Sequence, residues 1–177
     1  MPTELGTKLN SVIRAMMELH EDASRLLVDL DKKMLLAKYD RIGGNTVASG
    51  FSYDLNNSAY MARSLVIRWQ ERSDPLNVCI ANLIFHDDGG ENFEEPVLML
   101  SALIYRKPVA PADVNWDGWT AWSKSGKAFG IPTNVDPLVL NDRISAGKVV
   151  ARFLATVTNA EDAWKLMCSV RDQAHRP

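Results

Sequence analysis

The chain has 177 residues, of which 46% are hydrophobic and 24% charged, and its formal net charge is −2. This length and composition predict a single globular domain over 1–177 that needs neither a disulfide nor a metal to form a core. The slightly acidic balance argues against a dedicated nucleic-acid-binding protein, which usually carries a basic stripe. No apolar run approaches the roughly 20 residues that span a bilayer, and the first residues lack a secretory apolar region. We therefore expect a cytoplasmic protein without a membrane partner.

The N-terminal segment 1–40 carries the strongest periodicity in the chain. Apolar residues recur there at alternating intervals of four and three, which predicts an amphipathic helix of about 35 residues that ends at Gly43 and Gly44. The heptad seam comprises Leu5, Leu9, Val12, Met16, Leu19, Ala23, Leu26, Leu30, Lys33 and Ala37, and an adjacent column comprises Ile13, His20, Leu27 and Met34. Together they form a stripe wider than a two-stranded coiled coil needs. We therefore expect two burial partners, the protein's own sheet and a second copy, and hence a homodimer through this helix.

The segment 45–106 changes to a period of two, which predicts an antiparallel sheet. We expect a weak strand near 45–53, a half-solvated strand within 61–72 and a strand over 76–85. A central strand over 96–106 is apolar on both faces. Short turns between consecutive strands favour a meander.

The segment 107–136 is a Trp-rich insertion that interrupts the strand pattern. Three tryptophans spaced by three exclude a strand, which would alternate their faces, and predict one or two helical turns. Such a segment either covers the sheet as part of the core or presents its rings to a ligand or partner. The residues expected to bind that ligand or partner are Trp116, Trp119, Trp122, Tyr105, Lys107 and Lys127.

The last segment, 137–177, predicts a closing strand and a helix. A helix start favours a short helix over 137–147, and 148–157 fits a strand better than a helix because β-branched and aromatic residues crowd it. Asn159 is expected to cap the final helix. The predicted fold class is therefore α+β: a long N-terminal amphipathic helix, a four- to five-stranded antiparallel meander, the Trp-rich insertion and a C-terminal helix.

Catalytic and metal-binding motifs are missing from the sequence. Cys79 and Cys168 lie in apolar segments and predict two buried, reduced thiols. His20 lies in the apolar column of the long helix, which favours a buried neutral side chain with one partner. The acidic segment 86–95 lacks the spacing of a calcium loop and is typical of a solvated hairpin tip. We expect no metal and no cofactor.

These patterns favour a non-catalytic binding or interaction domain that self-associates through its N-terminal helix. A small-molecule or protein-partner cleft is expected beside the Trp-rich segment. The alternative is a small-metabolite enzyme in which Arg68, Arg106 or Lys107 holds an anionic group and His86, or an adjacent aspartate, acts as base. A third hypothesis is an accessory subunit whose aromatic surface is filled by another chain. No nucleic-acid partner is expected.

Overall fold

The computed structural model describes residues 4–43, 48–49, 64–85, 95–110, 114, 117–125, 129–135 and 143–174. The α-helices in these ranges are α1 (Glu4–Leu36), α2 (Asp117–Lys124) and α3 (Ala160–Ala174). The strands are β1 (Tyr39–Arg41), β2 (Ala48–Ser49), β3 (Ser64–Glu71), β4 (Asn77–Ile84), β5 (Val97–Tyr105), β6 (Thr133–Asn134) and β7 (Ile144–Phe153), and a single 3₁₀ turn (Leu154–Thr156) follows β7.

The described strands form one antiparallel sheet in the order β1-β3-β4-β5-β7-β6, with β2 also paired to β3. The four long strands β3, β4, β5 and β7 lie side by side at its centre. The sheet, the N-terminal helix and the C-terminal helix confirm the predicted α+β class. The three remaining strands have two or three residues each, too few to carry a detectable period of two.

Both faces of the sheet are buried, and each face has its own core. The helix-face core packs under α1 and α3, and the insertion-face core packs under α2. The helix-face core includes Leu27, Leu30, Met34, Ile67, Trp69, Leu98, Leu100, Val150, Met167 and Val170. The insertion-face core includes Val66, Ile80, Met99, Leu103, Tyr105, Val114, Trp122, Val135 and Val149. The sheet therefore forms the middle layer between the two flanking helices and the Trp-rich segment.

The prediction that β3 has a half-solvated face is wrong. Ser64, Val66 and Arg68 are each at most 5% exposed, on the insertion face of the strand. Arg68 pairs with Ile80 of β4, and Ile80 pairs with Ser101 of β5. Gly118 of α2 lies directly over Ser101 and Ile80, so this row is covered by the Trp-rich segment. A polar residue at every second position indicates an exposed face only when nothing else in the chain covers it.

The prediction that α1 ends at Gly43 and Gly44 is also wrong. The helix ends at Leu36, and Lys38 adopts a left-handed backbone with φ 67°. The chain then forms β1, in which Tyr39 lies opposite Glu71 of β3. Burial of the Tyr39 side chain, which is 3% exposed, favours this strand over two further helical turns. Propensity is a weak guide where such tertiary burial is available.

In the final segment, the predicted strand is confirmed but the predicted short helix is wrong. The strand expected over 148–157 exists as the later part of β7, which gives way to the 3₁₀ turn after Phe153. The helix expected over 137–147 is wrong for its described residues, because Ile144 already pairs with Tyr105 and Gly147 with Leu103. The predicted cap of the last helix is confirmed, since the backbone N–H of Asp162 donates to the Asn159 Oδ1 at 3.0 Å.

A buried carboxylate fixes α1 against the sheet. Asp31 is 2% exposed, and its Oδ1 accepts hydrogen bonds from Arg41 Nε at 2.6 Å and from Trp69 Nε1 at 2.9 Å. The second oxygen of Asp31 accepts from the Arg41 guanidinium. Burial alone raises the pKa of Asp31, but the hydrogen bonds and the charge of Arg41 outweigh it and hold that pKa below its usual value. The anchor therefore joins α1 to both β1 and β3.

Candidate functional site

The helix α1 is divided into a packed half and an exposed half. Its C-terminal half buries Ala23, Leu27, Leu30 and Met34, each at most 3% exposed, and the last three join the helix-face core. The N-terminal half carries the exposed seam, which we define as Leu5 (77% exposed), Leu9 (59%), Val12 (55%) and Ile13 (46%). Four large apolar side chains on one stripe of an exposed helix form the kind of surface that protein partners cover.

The exposed seam continues into a groove of about 670 Å³. One wall of this α1 groove is made by Leu19, Ala23 and Leu26, the next positions of the same heptad seam. The facing residues come from the segment before β5 and from the connection between β7 and α3. They are Glu95, Pro96, Leu154, Ala155, Val157, Thr158, Asn159 and Ala160. The sequence predicted the apolar seam to which these three residues belong, but not the groove or its facing wall, whose residues come from two distant segments with no shared pattern.

The α1 groove has an apolar floor and an acidic rim. Among its described lining residues, three carboxylates, Asp22, Asp29 and Glu95, accompany one cation, Arg25. Arg25 is already engaged within the helix, where its guanidinium lies 3.3 Å from a carboxylate oxygen of Asp22 and 3.5 Å from one of Glu21. Asp29 likewise lies 2.7 Å from the Lys32 amine, so the rim keeps only a modest acidic excess, which suits an apolar segment flanked by basic residues.

His20 joins the exposed half of α1 to the body of the protein. Its Nδ1–H donates to the Met16 carbonyl at 2.8 Å, and its ring stacks on Phe85 with the centroids 4.2 Å apart. The expected single hydrogen-bond partner is thus confirmed, although the side chain is half-buried rather than buried. The stacked pair supports α1 beside the groove.

The Trp-rich segment forms the short helix that the tryptophan spacing predicted. Trp122 is 1% exposed in the insertion-face core, and Trp119 is half-buried with its ring centroid 5.5 Å from that of Trp122. The Trp122 ring also meets Phe129 edge-on at 5.5 Å, and Phe129 stacks on Phe153 at 4.6 Å. This row of rings runs from the core to the surface. Trp116 lies outside the described residues.

Tyr105 positions the start of α2. Its hydroxyl donates to the Asp117 Oδ2 at 2.6 Å, and the Arg143 guanidinium lies 3.7 Å from the other oxygen of Asp117. The next residue, Gly118, approaches the sheet so closely that an added Cβ would lie 2.8 Å from Ser101 Oγ. Tyr105 is itself 1% exposed, so its ring belongs to the core.

The predicted ligand-binding residues are brought together only in part. Tyr105, Trp119 and Trp122 meet in or against one core cluster. Lys107 is exposed just beyond the end of β5, and Lys127 lies outside the described residues. The binding role of this set stays a prediction from the sequence.

The groups predicted for an enzyme are described only in part. Arg68 is buried on the insertion face, whereas Arg106 and Lys107 are exposed beyond β5. His86 and the acidic segment around it lie outside the described residues, apart from Glu95. Within the described ranges, no three His, Cys, Asp or Glu side chains are grouped as metal ligands would be.

The two cysteines differ in burial. Cys79 is 1% exposed, and burial raises the pKa of its thiol to about 12, so little reactive thiolate exists near neutral pH. Cys168 is half-buried rather than buried, and burial also raises its pKa. Both are free thiols, as the sequence predicted.

Comparison of the chain with protein-family models, with curated proteins and with solved structures finds no match. None of the helices in the described ranges combines the length and apolarity that a membrane crossing requires. A functional assignment for this chain therefore depends on the chemistry of its own surfaces.

Proposed function

We propose that this protein is an interaction domain that self-associates through the N-terminal half of α1. The observation that carries the proposal is the exposed seam, in which Leu5, Leu9, Val12 and Ile13 are 46% to 77% exposed although they continue the stripe that is buried farther along the helix. The sheet buries the C-terminal half of the stripe, and in our proposal a second chain buries the N-terminal half.

The stability of the exposed half itself favours a partner. The helix α1 is continuous, so its first turns need no nucleus of their own, but most helical stability in proteins comes from packing an apolar face. The half of α1 before His20 has such a face but leaves it exposed. Packing against another chain would supply the missing burial.

The charges of α1 favour a second copy as that partner. Residues 4–17 contain two cations and one carboxylate, whereas residues 18–31 contain five carboxylates and one arginine, although Asp31 is paired with Arg41 and Asp29 with Lys32. One chain therefore presents a basic segment and an acidic segment on the same helix. Two copies can satisfy each other's charges, which supports self-association over the capture of an unrelated protein.

The test removes part of the exposed seam without touching the core. Leu9→Ala deletes three carbons, worth about 2.4 kcal/mol if fully buried at roughly 0.8 kcal/mol per CH₂. Because Leu9 is 59% exposed in the protomer, about 1.4 kcal/mol of this is gained on association, or ~2.8 kcal/mol for the two copies of a dimer. We expect the dimer Kd to rise about 100-fold, measured by sedimentation equilibrium.

The matched control is Val28→Ala, on the opposite face of the same helix. Val28 is 53% exposed, close to the exposure of Leu9, but lies outside the heptad seam. Its replacement should leave the Kd unchanged. A wild-type chain that sediments as a monomer at all accessible concentrations would contradict the proposal, as would equal effects of the two substitutions.

The remaining parts of the functional hypothesis keep their status as predictions. The predicted ligand or partner cleft beside the Trp-rich segment involves Trp116 and Lys127, which lie outside the described residues. His86, the predicted base of the alternative enzyme, also lies outside them. The cytoplasmic location is likewise a prediction. Nothing in the described ranges favours the enzyme over the interaction domain.

A further inference from the structure

We infer that the α1 groove of each protomer receives the exposed seam of the other, with the two α1 helices antiparallel. The inference rests on the proposed self-association and adds the relative orientation of the two chains. Each chain would insert the N-terminal half of its α1 into its partner and receive the partner's in return. The exposed seam and the groove would then be the two complementary parts of one symmetric interface.

Continuity of the seam supports this arrangement. Leu19, Ala23 and Leu26 line the groove and extend the stripe that Leu9 and Val12 begin, so a helix lying along the exposed seam of one chain runs on into its groove. A parallel pair would instead bring the two exposed halves together and leave both grooves open.

The heptad pattern specifies a register for the antiparallel pair. In antiparallel helix packing, each a position faces a d position of the other helix. The register that fills the groove places Leu9 against Leu26 of the second copy, Val12 against its Ala23 and Met16 against its Leu19. Leu19 and Leu26 are half-buried in the protomer and offer apolar surface to Met16 and Leu9 of the second copy, whereas Ala23 is already 1% exposed and adds little burial opposite Val12.

Charge favours the same orientation. The described groove rim carries Asp22, Asp29 and Glu95, and the helix to be inserted carries Lys8 and Arg14. A parallel pair would place the acidic segments of both helices side by side, where like charges repel.

Cysteine pairs distinguish the two orientations. In a Cys168→Ser background, Leu9→Cys combined with Leu26→Cys should form an intermolecular disulfide under mild oxidation, because the antiparallel register places these positions within bonding distance. Leu9→Cys alone should not cross-link. Cross-linking of Leu9→Cys alone, without any gain from the second cysteine, would indicate a parallel pair and overturn the inference.

A second variant tests the groove without changing α1. Ala155 is exposed in the 3₁₀ turn and lines the groove, so Ala155→Arg should fill it, repel Lys8 and Arg14, and raise the dimer Kd at least tenfold. Thr156→Arg, at the next residue and outside the groove lining, is the control and should leave the Kd within about twofold. Circular dichroism verifies that both variants are folded.

The outcomes separate the two proposals. A monomeric wild-type chain refutes the self-association on which the inference depends. A stable dimer whose Kd is the same for wild type and Ala155→Arg refutes docking in the groove and leaves self-association intact. Disulfide formation by the double-cysteine variant, together with a weakened Ala155→Arg dimer, supports the antiparallel exchange.

Discussion

The substitution Asp31→Asn tests whether the buried carboxylate anchors α1 to the sheet. An asparagine keeps the shape of the side chain but loses its charge and replaces one acceptor oxygen with an NH₂ donor. Arg41 and Trp69 offer only N–H donors to the residue 31 side chain, so the new NH₂ group of the variant would face an N–H donor instead of an acceptor. Hydrogen bonds to charged groups are worth roughly 1.5–3 kcal/mol each, and Arg41 keeps part of its solvation. We expect Asp31→Asn to lower the free energy of unfolding by about 2–4 kcal/mol at pH 7.

The effect should depend on pH in one direction. The folded-state pKa of Asp31 lies below its unfolded value, which is about 3.9. The stabilising contribution is therefore fully present above that unfolded pKa and is lost as the pH falls through the folded pKa. Urea unfolding of wild type and variant at several pH values measures the difference, which should shrink steadily below about pH 4.

Glu21→Gln is the matched control on the same helix, at a residue that does not line the groove. The Glu21 carboxylate lies 3.5 Å from the Arg25 guanidinium, but the Glu21 side chain is 64% exposed and that of Arg25 is 72% exposed. Exposed pairs within a helix contribute about 0.3–0.5 kcal/mol, so this substitution should have little effect. The reasoning would be refuted if both substitutions cost the same, or if the penalty for Asp31→Asn persisted unchanged at low pH.

Three further predictions follow from contacts in the cores. Gly118→Ala should lower the free energy of unfolding by about 1–3 kcal/mol, because the new Cβ would lie 2.8 Å from Ser101 Oγ, and this clash outweighs the better helix propensity of alanine. In a Ser101→Ala background, thermal or urea unfolding should recover at least half of that loss. Gly147→Ala should cost about 3 kcal/mol or more in the same assay, since its Cβ would meet the backbone carbonyl of Ala102 at 2.8 Å, and an unchanged midpoint would contradict that close approach. The Cys79 thiol should resist a water-soluble thiol reagent in the native protein and react only after denaturation, whereas rapid native labelling at Cys79 would show that the helix-face core opens.

Elements with long, unambiguous periodicity were predictable from the sequence. The seam of α1, the apolar strands β4 and β5 and the spacing of Trp119 and Trp122 each specify their structure locally, without reference to distant residues. These patterns also predicted two burial partners for the stripe on α1, of which the structure shows the protein's own core. The patterns were sufficient to predict the fold class and the helical side of the proposed interface.

The features that the sequence did not predict depend on contacts between distant segments. The end of α1 is set by burial of Tyr39, and the second buried face of β3 is set by the layer that covers it. The α1 groove needs Pro96 and Leu154 to meet the helix, although they lie far from it in the chain. No local sequence period encodes contacts between such distant segments, so the groove side of the proposed interface could be recognised only from the folded structure.

Hydrogen–deuterium exchange over residues 5–17 of the wild-type chain tests the central claim most directly. Without a partner, the amides of this exposed half are expected to exchange rapidly, because few buried contacts oppose local unfolding. If the chain self-associates through the exposed seam, protection in these residues should rise with protein concentration, while exchange in β4 and β5 stays unchanged. Equally rapid exchange over residues 5–17 at every concentration would contradict the account.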